Sequence, residues 1–261
     1  MARARTLEQA AAFVDKVGIA LVFGKADVVL PSLWDAVCGP GADWAVRDEN
    51  GKAIAFTKDF DRLWHWKDDL PDRRLACAGR HLARDAAALV SRKLVPAIYA
   101  LTARVGEPED FRELELAPLE REIAEAVLAE GPISAPELRR LLATDDKKGV
   151  DKAVKLLQRE LILTNAGVVE QDAGWPAVRQ DVFARRWRTR LRRLPAEEEA
   201  RRTLARTVLA AAGEVSDADL AAALGWPKRT AAAALDDLGD RRLATAREED
   251  GFRLWVPRAR G

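Results

Sequence analysis

The residue types that most often carry out chemistry in proteins are few in this 261-residue chain and widely spaced. His65 and His81 are its two histidines, and neither has a partner at the spacing of a metal site. Cys38 and Cys77 form no CxxC motif, which argues against a zinc ribbon or a disulfide-stapled domain. There is no glycine-rich phosphate loop and no Ser-His-Asp set. We therefore expect half-buried structural histidines, no metal and no cofactor.

One pair of carboxylates is a candidate for acid–base chemistry. Asp68 and Asp69 follow Trp66 in a segment that we expect to close a helix at Pro71. Adjacent residues on a helix point about 100° apart and rarely share one site. A polar helix end is therefore the favoured interpretation, and a catalytic carboxylate at position 68 or 69 is the alternative.

Phosphate binding is indicated more strongly, by basic residues at helical spacing. A helix expected over residues 149–160 would bury valines and leucines on one side and carry cations at i, i+4, i+7 and i+11 on the other. A basic face without an acid favours DNA contact, although an ordinary solvated helix surface is the alternative. The predicted contacts from this segment are Lys147, Lys148, Lys152, Lys155 and Arg159.

A second basic segment follows. Residues 179–193 contain seven arginines and one acid, Asp181, which gives a local charge of +6. Such patches bind phosphate backbones through the release of counterions. The alternatives are a helix offset by the glutamates at 197–199, or a basic amphipathic helix lying on a membrane. The DNA contacts predicted here are Arg185, Arg186, Arg188, Arg192 and Arg193.

The elements that would position these cations belong to a segment that occurs twice. Residues 131–142 (GPISAPELRRLL) reappear at 213–224 as GEVSDADLAAAL. Gly131 and Gly213 are expected in the left-handed conformation at a helix end, and the serine three residues later is expected to cap the next helix. Each copy follows an amphipathic helix and precedes a third helix and a hairpin. This order is typical of a winged helix, which most often docks on duplex DNA.

The two copies differ in their third helix. The second copy offers four alanines followed by Asp236 and Asp237, with Lys228 and Arg229 at its start. Such a face is a poor partner for phosphate, so we expect this copy to pack against the rest of the protein. In the first copy, the wing is expected to turn at residues 165–167.

The predicted fold class is mainly α with small β-hairpins (α+β), built from tandem winged-helix domains. Residues 1–112, which hold four of the eight tryptophans, form an N-terminal helical or winged-helix-like domain. A winged-helix domain with the basic third helix follows at 113–182, then a basic connecting helix at 183–200. A C-terminal winged-helix domain occupies 201–261.

Overall composition adds little about partners. The net charge is +1, so an anionic partner would have to be recognised by local patches. The longest apolar run near the start, residues 17–23, is too short for a signal peptide or a membrane span. We expect a cytoplasmic protein that does not associate with membranes.

Three apolar segments, at 17–19, 30–34 and 63–71, together with the two winged helices behind them, resemble the winged-helix family of AlkZ/YcaQ-type interstrand-crosslink-repair DNA glycosylases. The resemblance implies a C-shaped body that embraces DNA, and excision of alkylated purines by a Gln-x-Gln or Gln-x-Asp motif after the first helix. Ala20 and Val22 stand at those two positions here. Neither side chain can position a water or stabilise an oxocarbenium ion.

The sequence therefore predicts a double-stranded DNA-binding, tandem winged-helix protein, associated with DNA repair and lacking the glycosylase chemistry of its relatives. Two alternatives stay open. One is an active alkylpurine glycosylase that uses other residues, for example Asp68 or Asp69. The other is a winged-helix transcriptional regulator.

Overall fold

A computed structural model describes residues 3–82, 86–249 and 252–258, so parts of the predicted first and last domains lie outside the described residues. The fold is mainly helical, with small antiparallel sheets, which confirms the predicted fold class. One order of elements occurs in three units: helix, short strand, helix, helix and two further strands. In each unit the short first strand pairs with the last strand, giving the same three-stranded sheet.

The first unit begins with a helix that Thr6 caps by accepting a hydrogen bond from the Gln9 amide, as the sequence predicts. Its sheet has the order β1-β5-β4, and the hairpin β2–β3 is inserted between its second and third helices. The elements are α1 (Leu7–Val17), β1 (Ile19–Leu21), α2 (Leu33–Val37), β2 (Ala45–Arg47), β3 (Ala53–Phe56), α3 (Lys58–Asp72), β4 (Ala76–Gly79) and β5 (Ala88–Ser91).

The second unit follows a short helix, α4 (Val95–Ala100), and a 3₁₀ turn at Asp110–Glu113. Its sheet order is β6-β8-β7, so the short strand β6 lies against the second strand of the β7–β8 hairpin, which we call the wing. The elements are α5 (Pro118–Glu130), β6 (Ile133–Ser134), α6 (Ala135–Leu141), α7 (Lys147–Arg159), β7 (Leu163–Val169) and β8 (Ala177–Val182).

Two local predictions for this unit are wrong. Gly131 has φ −64° and ψ 165°, an extended rather than left-handed conformation, because the following proline disfavours helical geometry at the residue before it. The wing does not turn at residues 165–167. Strand β7 continues through them with a bulge at Gly167 (φ +92°), whose missing Cβ would collide with Asp72 of the first unit. The turn lies instead between β7 and β8.

The third unit follows α8 directly and has the sheet order β9-β11-β10. Gly213 ends α9 with φ +85°, and Ser216 caps α10 by accepting a hydrogen bond from the Asp219 amide, as predicted. The elements are α8 (Phe183–Leu191), α9 (Glu197–Ala212), β9 (Val215–Ser216), α10 (Asp217–Leu224), α11 (Lys228–Asp240), β10 (Ala244–Glu249) and β11 (Phe252–Pro257).

The third unit shares a hydrophobic core with the first. Leu204 and Val208 of α9 are fully buried in one cluster with Ile98 of α4 and Ile19 of β1. At Gly18, which ends α1, a Cβ would collide with the Thr207 side chain, so the two backbones approach closely there. The predicted packing of the last unit against the rest of the protein is therefore confirmed. No helix among the described residues has the length and apolar character that a membrane crossing needs.

Candidate nucleic-acid interface

Helix α7 presents the predicted basic stripe to solvent. Asp146 caps its start by accepting a hydrogen bond from the Gly149 amide at 2.9 Å. The predicted apolar side is buried, with Val150 fully enclosed and Leu157 1% exposed. All five predicted cations are exposed: Lys147, Lys148, Lys152, Lys155 and Arg159. Within the part of the chain that the structure describes, none of the four lysines forms an ion pair with a carboxylate.

A cleft of about 550 Å³ separates the first unit from the second, and α7 forms part of its wall. The first unit contributes residues of α3, β4 and β5, and the second contributes residues of α6, α7 and the wing. Basic side chains in the lining outnumber acidic ones by five to two, which favours a negatively charged ligand. The charged lining residues are Lys67, Asp68, Arg80, Arg139, Lys147, Asp151 and Lys155.

A lysine–carboxylate pair lies on the α3 wall of this cleft. Lys67 Nζ donates to Asp68 Oδ2 at 2.6 Å and lies 4.3 Å from the ring centroid of Trp64. Burial raises the pKa of Asp68 above its ordinary value, and the hydrogen bond from Lys67 opposes that rise. Asp68 is therefore not simply part of a polar helix end. The helix also continues one residue past the predicted stop, to Asp72.

Three amide side chains form the boundary between α7 and the wing. Gln158 donates through Nε2 to Asn165 Oδ1 and Gln180 Oε1, each at 2.7 Å. Its own Oε1 accepts from the backbone amide of Arg80 in the first unit, at 3.1 Å. Gln158 is only 5% exposed, so this network fixes α7 relative to both units.

Two of the arginines predicted to contact DNA are instead occupied within the protein. Arg185 donates to the main-chain oxygens of Val127 and Leu128, at the end of α5. Arg186 is 7% exposed and donates to the oxygens of Pro71 and Asp72, at the end of α3. Both guanidinium groups also pair with Asp181. A planar group with several donors is suited to such carbonyl clusters, and a cation is favoured at the C-terminus of a helix.

The other predicted arginines of this segment are exposed and lie away from the cleft. Arg188 forms a loose ion pair with Glu107 at 3.8 Å, and both side chains are largely in solvent. Arg192 and Arg193 are also exposed. Among the described residues that line the cleft, none belongs to α8 or to the two arginines that follow it.

The two histidines differ from each other, and neither is half-buried. His65 is exposed, with Nε2 3.6 Å from Asp61. His81 is buried, and its Nδ1 lies 2.6 Å from the Gln158 main-chain oxygen, to which it donates as the neutral ring. Burial lowers the pKa of His81 to about 4, although the hydrogen bond to Gln158 opposes the shift. No group of metal-ligating side chains occurs among the described residues.

The sequence profile of a family described as AlkZ related matches residues 4–225, which is most of the chain. The chain belongs to the AlkZ-related family. The predicted resemblance is thereby confirmed at the level of the family, and the AlkZ-related match includes both walls of the cleft.

The solved structure of the DNA glycosylase AlkZ from Streptomyces sahachiroi is similar to this AlkZ-related chain in fold. The superposition has a TM-score of 0.52 at 14% sequence identity and covers 98% of the chain. The chain spans 65% of the length of that glycosylase. No curated protein sequence matches the chain.

The AlkZ/YcaQ resemblance implies catalytic polar residues at two positions, which Ala20 and Val22 occupy here. The structure places these two side chains in different surroundings. Ala20 lies in the middle of β1 and is fully buried, in the same core cluster as Val14 and Leu33. Val22 follows β1 and lines the cleft with 5% of its surface exposed. Of the two, therefore, only Val22 faces the space in which a ligand would lie.

Several residues of the AlkZ-related cleft were not among the predicted site residues. Lys67 stands beside Asp68 in the sequence, so its place in the pair had a local signal. Arg139 and Trp64 had none, because their role depends on how α6 of one unit faces α3 of another. The sequence shows the helices but not the space between the units.

Proposed function

We propose that this AlkZ-related protein binds double-stranded DNA through tandem winged-helix units, with α7 as the principal contact. The observation that carries the proposal is the lysine stripe of α7, which is exposed and free of carboxylate partners among the described residues. The stripe lies on the third helix of its unit, the position from which helix-turn-helix proteins enter the major groove.

The cleft supports the same proposal. Its lining is positive on balance, and it shares Lys147 and Lys155 with α7. A duplex seated on α7 would therefore place part of its backbone over the cleft, where Arg139 adds positive charge. Contacts of this kind release counterions and bind DNA without strong sequence preference.

The exposed arginines in the last turn of α8 and just beyond its end form a secondary part of the proposal. Arg188, Arg192 and Arg193 can neutralise phosphates of DNA that extends beyond the cleft. Arg185 and Arg186 are excluded from this role, because their guanidinium groups already bind main-chain oxygens at the ends of α5 and α3.

We further propose a role in DNA repair without base release of the AlkZ kind. Cleavage of an N-glycosidic bond builds positive charge on the sugar and needs a positioned water. Ala20 and Val22 supply neither. Gln at position 20 would also overfill a fully buried site, so Val22→Gln alone is the appropriate variant for restoring a polar group in the cleft.

A second candidate function, glycosylase activity through Asp68, is favoured by one observation. Asp68 lines the cleft, is paired with Lys67, and has a pKa raised by burial. A carboxylate in such a place can stabilise an oxocarbenium ion or activate water.

One experiment separates these functions. Binding of the purified protein is measured on plain, abasic and N7-methylguanine duplexes, and base release is assayed in the same tubes. We expect binding to all three duplexes and no base release. Base release that is lost in Asp68→Asn and retained in Asp69→Asn would establish the second candidate. Failure to bind any duplex at low salt would contradict DNA binding itself.

A further inference from the structure

Seven aromatic side chains form a continuous row that DNA contact by α7 does not explain. Successive ring centroids lie 4.8–6.2 Å apart, and the row runs from the end of β1 through α2, α3 and the β2–β3 hairpin to the wing loop of the second unit. We refer to this set as the aromatic row; its members are Phe23, Trp34, Trp44, Phe56, Phe60, Trp64 and Trp175.

Much of the aromatic row faces solvent. Phe60 is 9% exposed and anchors the row to the body of the first unit. Phe23, Trp44 and Phe56 are 41–42% exposed, and Trp175 is 59% exposed. Single exposed hydrophobic residues are common, but a contiguous group of exposed aromatic rings marks a binding surface.

The charge around the row indicates the chemistry of its ligand. Two cations already lie against the rings: Lys67 Nζ is 4.3 Å from the Trp64 ring centroid, and the Arg47 guanidinium is 5.8 Å from that of Trp44. Each of them pairs with a neighbouring carboxylate, Asp68 or Asp43, so the phosphate-binding charge is assigned to the far wall of the cleft. At one end, Phe23 and Trp64 line the cleft whose opposite wall carries Lys155. Aromatic rings interleaved with cations are the means by which proteins bind single-stranded nucleic acid, since rings stack on bases and cations neutralise phosphates.

The faces of paired bases are covered by their neighbours in a duplex, so a stacking surface needs bases that have left the helix. We propose that the aromatic row binds unpaired nucleobases of DNA whose double-stranded part lies on α7. The ligand would be a duplex interrupted by a bubble or a bulge. This inference rests on the proposed function, because α7 supplies the duplex contact that brings unpaired bases to the row.

The test compares a fully paired duplex with the same duplex carrying a short bubble that contains 2-aminopurine. The full-length protein is used with Trp175→Ala plus Phe56→Ala, two exposed rings of the row. The matched control is Val105→Ala, an exposed apolar residue outside the row. Thermal melting checks that each variant is folded.

We expect the wild-type protein to bind the bubble at least about tenfold more tightly than the paired duplex, and to quench the 2-aminopurine through stacking. The double variant should lose at least about fivefold of the bubble affinity and the quenching, with unchanged affinity for the paired duplex. Trp175→Phe, made in the wild-type background, should retain both properties, because a ring is kept.

Equal wild-type affinity for the two DNAs would overturn the inference, as would a bubble preference that survives in the double variant. The second result is also the one expected if the row binds another protein. Failure of the wild-type protein to bind either DNA would instead overturn the proposed function, so the two failures are distinguishable.

Discussion

Helices α7 and α11 occupy the same place in the second and third units, yet their surfaces have opposite character. On α7, the exposed side carries lysines that have no carboxylate partner among the described residues. On α11, Asp237 accepts from Arg202 at 2.6 Å and from Arg241 at 2.8 Å, and Asp236 pairs with Arg253. Although burial opposes it, these two hydrogen bonds from arginine lower the pKa of Asp237 below its ordinary value.

This difference shows that the same order of elements can present either an exposed basic helix or a helix whose carboxylates are paired within its own unit. Asp236 and Asp237 of α11 are paired with arginines of their own unit, while α9 of that unit packs on the first unit. The four lysines of α7 form no ion pair with a carboxylate among the described residues. The two helices differ in whether oppositely charged side chains lie within reach of their own, and not in how many charged residues they carry.

Helix α8 carries both a paired and an exposed arginine, and its buried Arg186 should support stability and not DNA binding. Arg186→Met should cost about 2–4 kcal/mol of unfolding free energy, since it leaves the Pro71 and Asp72 main-chain oxygens without this donor and removes one of the two arginines that pair with buried Asp181. Arg188→Met, on the exposed side, should cost less than about 0.5 kcal/mol. Urea unfolding of both variants measures the difference, and equal losses would remove the contrast within α8.

A buried histidine that contacts α7, His81, should make the unfolding free energy depend on pH. His81, which donates to the Gln158 oxygen of α7, has its pKa lowered by burial from 6.5 to about 4. Stability is therefore fully present above pH 6.5 and falls as the pH drops toward 4, because only the unfolded chain takes up the proton there. The loss from this group is up to about 3 kcal/mol.

Unfolding free energies of the wild type and His81→Phe, compared from pH 7 to 5, check this dependence. The variant should show a weaker dependence on pH over that range. His65→Asn, an exposed control, should match the wild type. An unchanged pH dependence in His81→Phe would show that other groups control acid stability.

The sequence was sufficient for local features of this fold and insufficient for contacts between units. The stripe of α7 and the cap at Thr6 follow from helical spacing and from side chains that bond nearby amides. At Gly167, where the predicted turn is wrong, the backbone passes close to Asp72, nearly one hundred residues away in the sequence. The burial of Arg186 likewise depends on where α3 ends in another unit. The helices that form the walls of the cleft could be predicted from the local sequence. Their arrangement around a shared space could not, because it depends on how the first and second units pack.

The exposed arginines at the end of α8, Arg188 and Arg192, should affect DNA binding less than the lysines of α7. Arg188→Gln with Arg192→Gln should flatten the dependence of log K on log salt by up to about 1.8, which is two phosphate contacts. Because neither residue lies at the cleft, affinity at physiological salt should change only a few-fold. Fluorescence polarisation over a salt series measures both quantities. Binding to anionic vesicles with unaltered duplex affinity would indicate a membrane-surface role for α8 instead.

The contrast between α7 and α11 is tested most directly by two double variants with the same change of charge. Lys152→Glu plus Lys155→Glu alters the stripe, and Lys228→Glu plus Arg229→Glu alters exposed cations at the start of α11. All four positions are exposed, so both variants should stay folded. At physiological salt, where charges more than about 8 Å apart are largely screened, we expect at least about tenfold weaker duplex binding for the α7 variant and less than about twofold for the α11 variant. Equal losses in both variants, or an unchanged affinity in the α7 variant, would contradict DNA binding through α7.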